Sequence, residues 1–164
     1  TLVMGICGGY QMLGTCISDP DQVEAAGVTE IAGMGLLDMV TVFRGDKVQT
    51  QTRGTFSGIT GMLERLNGLA YEGYEIHMGR SQEKTPPVLG SGNVFGSYIH
   101  GIFDAPGITD AILRAICAGK GLDFEALESC DRTEYKQRQY DILADAVRHG
   151  LDMELVYRIL NREV

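Results

Sequence analysis

The chain has 164 residues, 44% of them hydrophobic and 22% charged, a globular composition long enough for one domain with its own core. With 14 Lys and Arg against 22 Asp and Glu, its formal net charge of -8 repels a phosphate backbone and argues against a nucleic-acid partner. No apolar run reaches the roughly 18 to 20 residues that cross a bilayer and no signal-peptide pattern opens the chain, so a cytoplasmic protein without a membrane partner is expected.

Residues 1–6 are apolar without alternation, the pattern of a buried parallel strand. A helix is predicted over residues 9–17, ending in the Ser18-Asp19-Pro20-Asp21 loop. Between residues 36 and 53 Leu37, Met39, Thr41 and Phe43 alternate with their neighbours, and Arg44-Gly45-Asp46-Lys47 reads as a turn, which predicts a hairpin or meander. Strands follow over residues 73–78 (GYEIHM) and 93–99 (NVFGSYI), separated by a loop through Lys84-Thr85-Pro86-Pro87. After Pro106 helical spacing takes over: Ile108, Ala111, Ile112, Ala115 and Ile116 as far as Gly119-Lys120-Gly121, then residues 133–149 up to Gly150, then a third helix with Asp152 as its N-cap.

Chemistry concentrates in Gly5-Ile6-Cys7-Gly8-Gly9-Tyr10-Gln11. A strand turning sharply into a helix through G-x-C-x-G puts the thiol at the tip of a strained bend, where flanking glycines remove Cβ atoms that would clash. The helix N-terminus favours thiolate, and the Gly8 N–H would face the oxyanion of a tetrahedral intermediate. Two other readings remain: Cys7 as a small packing residue, and the glycines as a phosphate cradle, although neither Lys-Ser/Thr nor G-x-G-x-x-G follows. The four cysteines, Cys7, Cys16, Cys117 and Cys130, lack CxxC or Cys/His spacing and read as thiols, with no metal site.

A cysteine nucleophile needs a base, and there are three histidines. His149 sits at a helix end, where it suits the C-terminal dipole. His100 closes a strand and precedes Gly101, the place where open α/β sheets carry functional residues. His77 lies within a strand and reads as a satisfied core residue or a substrate contact.

GICGGYQMLG resembles the G-x-C-x-G-x-Q nucleophile motif of class I, triad-type glutamine amidotransferases. GYEIHMG and GSYIHGIFD are similar to the branch of that family containing cobyric acid synthases and cobyrinic acid diamide synthases, and YDILADAVR followed by LDM is similar to the C-terminus of the former. The resemblance implies a flavodoxin-like α/β fold with a mixed or parallel sheet and C-terminal helices. It implies one partial amidotransferase domain over residues 1–164, truncated before the elbow strand, with an ATP-dependent synthetase domain upstream. Cys7 would then be the nucleophile, His100 the general base and acid, Gly8 an oxyanion donor and Gln11 a glutamine-binding or site-shaping residue. No cofactor is implied for glutamine hydrolysis; ATP and magnesium belong to the synthetase domain, which would amidate adenosylcobyrinic acid a,c-diamide with the ammonia released.

The family's usual triad acid, two residues after the histidine, is Ile102 here, leaving Glu75 or Asp104 to orient His100, or a dyad without an acid. Without the preceding strands the second oxyanion donor is missing, so a weak or inactive glutaminase with an exposed sheet edge is expected. Other readings are a cobyrinic acid a,c-diamide synthase, a subunit amidating peptidoglycan precursors, a non-catalytic domain docking on a synthetase, and a cysteine hydrolase or chaperone-like protein. Tyr98 would share the sheet face of His100, and Arg80 would neutralise a carboxylate or stay solvated.

Overall fold

The apolar opening of the chain forms a short strand that turns at once into a helix. The computed structural model describes residues 1–81, 85–125 and 132–163, so Lys84 and Cys130 lie outside the described residues. In chain order its elements are β1 (Val3–Ile6), α1 (Gly8–Leu13), β2 (Cys16–Ser18), β3 (Glu30–Ala32), β4 (Val40–Thr55), a 3-10 helix (Gly61–Leu66), β5 (Ala70–Arg80), β6 (Leu89–Ser91) and β7 (Val94–Ser97). They continue with a 3-10 turn (Ile102–Asp104), α2 (Ile108–Lys120), α3 (Arg132–Gly150) and α4 (Met153–Leu160). The chain divides into two compact units, Thr1–Phe124 and Glu125–Val164.

The first unit carries two sheets, ordered β1-β7-β6 and β3-β2-β4-β5. β1 and β7 run parallel, with Ile6 opposite Ser97, while β6 pairs antiparallel with β7. One side of β1 turns Leu2, Met4 and Ile6 onto the main core, built around Phe56, Leu63, Leu66, Phe95, Ile99 and Ile102. The other side meets α1, and glycine decides how closely. A Cβ on Gly5 would lie 2.7 Å from the carbonyl of Gly9, and one on Gly96 would lie 1.8 Å from the Tyr10 ring. The fully buried Tyr10 therefore lies flat against the β7 backbone.

The helix expected over residues 9–17 stops at Leu13, and residues 16–18 are a strand. Gly14 is extended, and a Cβ there would sit 2.6 Å from the Met39 carbonyl, which then accepts the Thr15 N–H at 2.8 Å. That bond starts the parallel pairing of β2 with β4.

The hairpin expected within residues 36–53 is also corrected. Arg44-Gly45-Asp46-Lys47 is not a turn, because β4 continues through it and pairs antiparallel with β5 on both sides. Phe43 is opposite Gly79 and Val48 opposite His77, so residues 44–47 face Met78 alone. Alternation marked the extended chain, but the partner strand lay beyond the reach of local sequence. The strands expected at 73–78 and 93–99 are β5 and β7, longer and shorter than expected.

The helix ends were legible. α2 terminates at Gly121 in the left-handed region (φ 65°), with the Leu122 N–H returning to the Cys117 carbonyl at 2.9 Å. In the second unit, His149 Nδ1 donates to the Asp145 carbonyl at 2.7 Å near the end of α3. Asp152 accepts the Leu155 N–H at 3.0 Å and caps α4.

The contact of Tyr10 with Gly96 yields a prediction. Gly96→Ala forces the ring off the strand and should cost about 1–3 kcal/mol, read as a melting point lower by roughly 5 °C or more. Gly9→Ala, whose Cβ would meet nothing within 4 Å outside its own helix, is the control and should melt unchanged or higher. Equal melting of the two variants would show that the α1–β7 contact does not limit stability.

Candidate active site at the strand ends

Cys7 stands between β1 and α1 at φ 51°, ψ -111°, a conformation that costs a non-glycine residue on the order of 1–3 kcal/mol. Two backbone bonds hold it there: its N–H donates to the Ser97 carbonyl at 2.8 Å, and its carbonyl accepts the Gln11 N–H at 3.1 Å. Of the flanking glycines, Gly5 provides the close approach, since a Cβ on Gly8 or Gly9 would meet nothing within 4 Å. The expectation that both glycines relieve a clash holds for Gly5 only, and the space beside Gly8 is open.

The Cys7 thiol lies 3.7 Å from the Ile76 carbonyl of β5. Burial pushes its pKa above the ordinary 9.0, outweighing the Gly8 backbone N–H, which lowers it. The thiolate expected from the helix N-terminus is therefore not the resting form. α1 has only six residues, so its dipole is small beside the desolvation of the sulfur. Cys16 and Cys117 are free thiols as well.

His100 lies just past the carboxyl end of β7, beside the elbow's strand. The turn that delivers it is fixed by the buried Ser97, whose hydroxyl donates to the Pro87 carbonyl at 2.6 Å and accepts the Ile99 N–H at 3.0 Å. β5 then crosses the end of β7. The Tyr74 N–H donates to the His100 carbonyl at 3.1 Å, and the His100 N–H to the Tyr74 carbonyl at 2.8 Å. Gly73 permits this, because a Cβ there would sit 2.2 Å from the His100 oxygen. The Tyr74 and His100 rings stack with centroids 4.9 Å apart and planes 8° from parallel. Nε2 of His100 is buried without a hydrogen-bond partner; among the described residues the Tyr10 hydroxyl is the one other such side-chain atom.

The two candidate orienting acids are placed differently. Glu75 Oε2 lies 3.1 Å from Nε2 of His77, not against His100. His77 is satisfied on both nitrogens, its Nδ1 lying 2.7 Å from the Gly79 carbonyl, and its ring stacks on Tyr98 at 3.8 Å. Tyr98 is buried and its hydroxyl lies 2.7 Å from Ser81 Oγ, so it packs behind the site. Asp104 shares with His100, Glu72 and Tyr74 the lining of a cavity of about 370 Å³, and its N–H donates to the Gly101 carbonyl at 2.8 Å. Ile102 is buried in the core.

Gln11 is buried, with its amide against β5 where a Cβ on Gly79 would fall 2.4 Å from Nε2. Arg80 pairs with Asp46 at the excursion in β4. Tyr74 and Ile76, which touch His100 and Cys7, were not singled out in the sequence. Both lie within the GYEIH stretch itself, but alternation cannot reveal that β5 meets the chain beyond β7 through the single Tyr74–His100 bridge.

Comparison with known proteins places this geometry in a family. A family model for the CobB/CobQ-like glutamine amidotransferase domain matches residues 1–108. A cobyric acid synthase of Lachnoclostridium phytofermentans is 44% identical over 100% of this chain and 36% of its own length. One from Ruminiclostridium cellulolyticum is 41% identical over 99% of this chain and 35% of its own. The chain thus spans about a third of the length of the curated relatives it matches.

The buried thiol gives a prediction for the ligand-free protein. Alkylation of Cys7 by iodoacetamide, followed by mass spectrometry of its peptide, should rise about tenfold per pH unit through neutral pH, with its midpoint above 9.0. A plateau below pH 8 would show that the helix terminus and the Gly8 N–H outweigh burial.

Proposed function

This chain belongs to the CobB/CobQ-like glutamine amidotransferase domain family, and from that premise we propose that it hydrolyses glutamine to supply ammonia for the synthesis of cobyric acid. One observation carries the reading: a thiol on a strained strand-to-helix turn sits at the end of the strand paired with the one that delivers a histidine with an unpartnered Nε2. No other arrangement among the described residues offers a nucleophile and a base at neighbouring carboxyl ends of parallel strands.

In the proposed mechanism, His100 Nε2 takes the Cys7 proton as sulfur attacks the side-chain amide carbon of glutamine. The developing oxyanion faces the Gly8 N–H. Collapse breaks the C–N bond, and the proton held by His100 goes to the departing nitrogen, which leaves as ammonia. The γ-glutamyl thioester is then attacked by a water whose proton passes to His100; the C–S bond breaks, His100 returns the proton to the sulfur, glutamate is released and the thiol is regenerated. Burial raises the Cys7 pKa, so a base that takes the thiol proton as sulfur attacks assists the first step. Gln11 shapes the floor of the site from within.

The ammonia would amidate carboxylates of adenosylcobyrinic acid a,c-diamide in a synthetase part of the polypeptide outside this chain, which would also use ATP and magnesium. The names of the relatives favour this product over that of a diamide synthase. A cytoplasmic location fits such a pathway.

The test uses the full-length polypeptide. Cys7→Ser should lower glutamine-dependent product formation by about a thousandfold or more, while reaction with free ammonium salts and ATP continues near the unmodified rate. His100→Asn should behave alike. Retention of glutamine-dependent activity by both variants would leave this unit a docking module.

A further inference from the structure

A base that must take a proton and return it within one turnover needs its ring plane fixed, and a carboxylate commonly does this. Here Glu75 is bonded to His77, and the position two residues after His100 is the apolar Ile102. The flat face of His100 is instead covered by Tyr74, 4.9 Å away and 8° from parallel. We propose that Tyr74 is a positioning residue for His100, locking the plane of its imidazole for the proton transfers made by Nε2.

Several features of the molecule support this assignment. The Tyr74 ring is 49% exposed, so it adds little to the core, and His100 is the ring it stacks on. The register is fixed by two main-chain bonds between Tyr74 and His100, at 3.1 and 2.8 Å, made possible by the missing Cβ of Gly73. Two residues further along β5, the Ile76 carbonyl receives the Cys7 thiol, so one strand spans both reacting groups and sets their relative position. Tyr74 lines both the cavity it shares with His100 and a neighbouring one lined by Gln49, Gln51, Glu75 and Ile76. The electron-rich face of the phenol ring lies where positive charge develops once Nε2 holds the proton.

The proposal rests on the reading of His100 as the base, and the experiment separates the two. In the full-length polypeptide, glutaminase kinetics are measured for Tyr74→Leu, Tyr74→Thr and Tyr74→Phe beside Cys7→Ser. The aliphatic variants should lose about tenfold in kcat with KM for glutamine within twofold, and Tyr74→Phe, which keeps the stacking face, should restore kcat. Labelling of Cys7 by a diazoketone analogue of glutamine should slow in the same order. Melting curves identify any variant that misfolds, and Thr, suited to an exposed strand position, replaces Leu if Leu does.

Unchanged kcat in the folded aliphatic variants overturns the proposal. So does a rise in KM alone, which would make Tyr74 a substrate contact, and so does a Phe variant as slow as Leu, which would put the effect in the hydroxyl. If Cys7→Ser keeps full glutaminase activity, the function itself fails, and the Tyr74 proposal falls with it.

Discussion

The parallel pairing of β1 with β7 is the constraint on which the rest of the site depends. Its last bond, from the Cys7 N–H to the Ser97 carbonyl, ends the ladder one residue past β1 and leaves the two strand ends side by side. From there the chain must leave the sheet in two directions, one into α1 and one toward His100. The strain at Cys7 follows, because the backbone has to reverse within one residue while Gly5 lets the helix press against the strand it has just left. Had the sheet register been shifted by one, the alternating sides of β1 would be exchanged and Leu2, Met4 and Ile6 would turn away from the core.

Around that pairing the buried residues divide the work. Tyr98, His77 and Ser81 form a satisfied polar layer behind the strand ends, in which every ring is stacked or hydrogen-bonded. His100, by contrast, keeps an unpartnered nitrogen, and Cys7 keeps its proton against a backbone carbonyl. A carboxylate bonded to His100 would add charge to a partly desolvated site. The structure places Glu75 on His77, so among the described residues the stacked layer holds the carboxylate and His100 keeps its unpartnered Nε2.

How far the sequence reached follows from the range of each signal. The elbow, the strand carrying His100, the Gly121 terminator and the Asp152 cap were legible because each is written within a few residues: glycine spacing, a strand followed by glycine, a cap three residues before the amide it accepts. The early end of α1 was not, since nothing in Gly14-Thr15-Cys16-Ile17 announces that the Met39 carbonyl lies 2.6 Å from where a side chain would begin. The partner of β4 was equally hidden, since it depends on which strand lies opposite. The burial that raises the Cys7 pKa was hidden for a related reason. A helix terminus is visible in a sequence, but the burial that outweighs it is not.

The excursion in β4 bears on how the ribbon tolerates changes in length. Residues 44–47 face a single residue of β5, and pairing on either side is set independently, by Val42 and Phe43 against Arg80 and Gly79 and by Val48 onward against His77. Arg80 secures the tip through Asp46. A bulge of that kind absorbs a gain or loss of residues locally, without passing a register shift down the ribbon to Tyr74. The strand that touches both Cys7 and His100 is thereby buffered against length changes on its partner, and the relative placement of thiol and imidazole does not depend on the residues of the bulge.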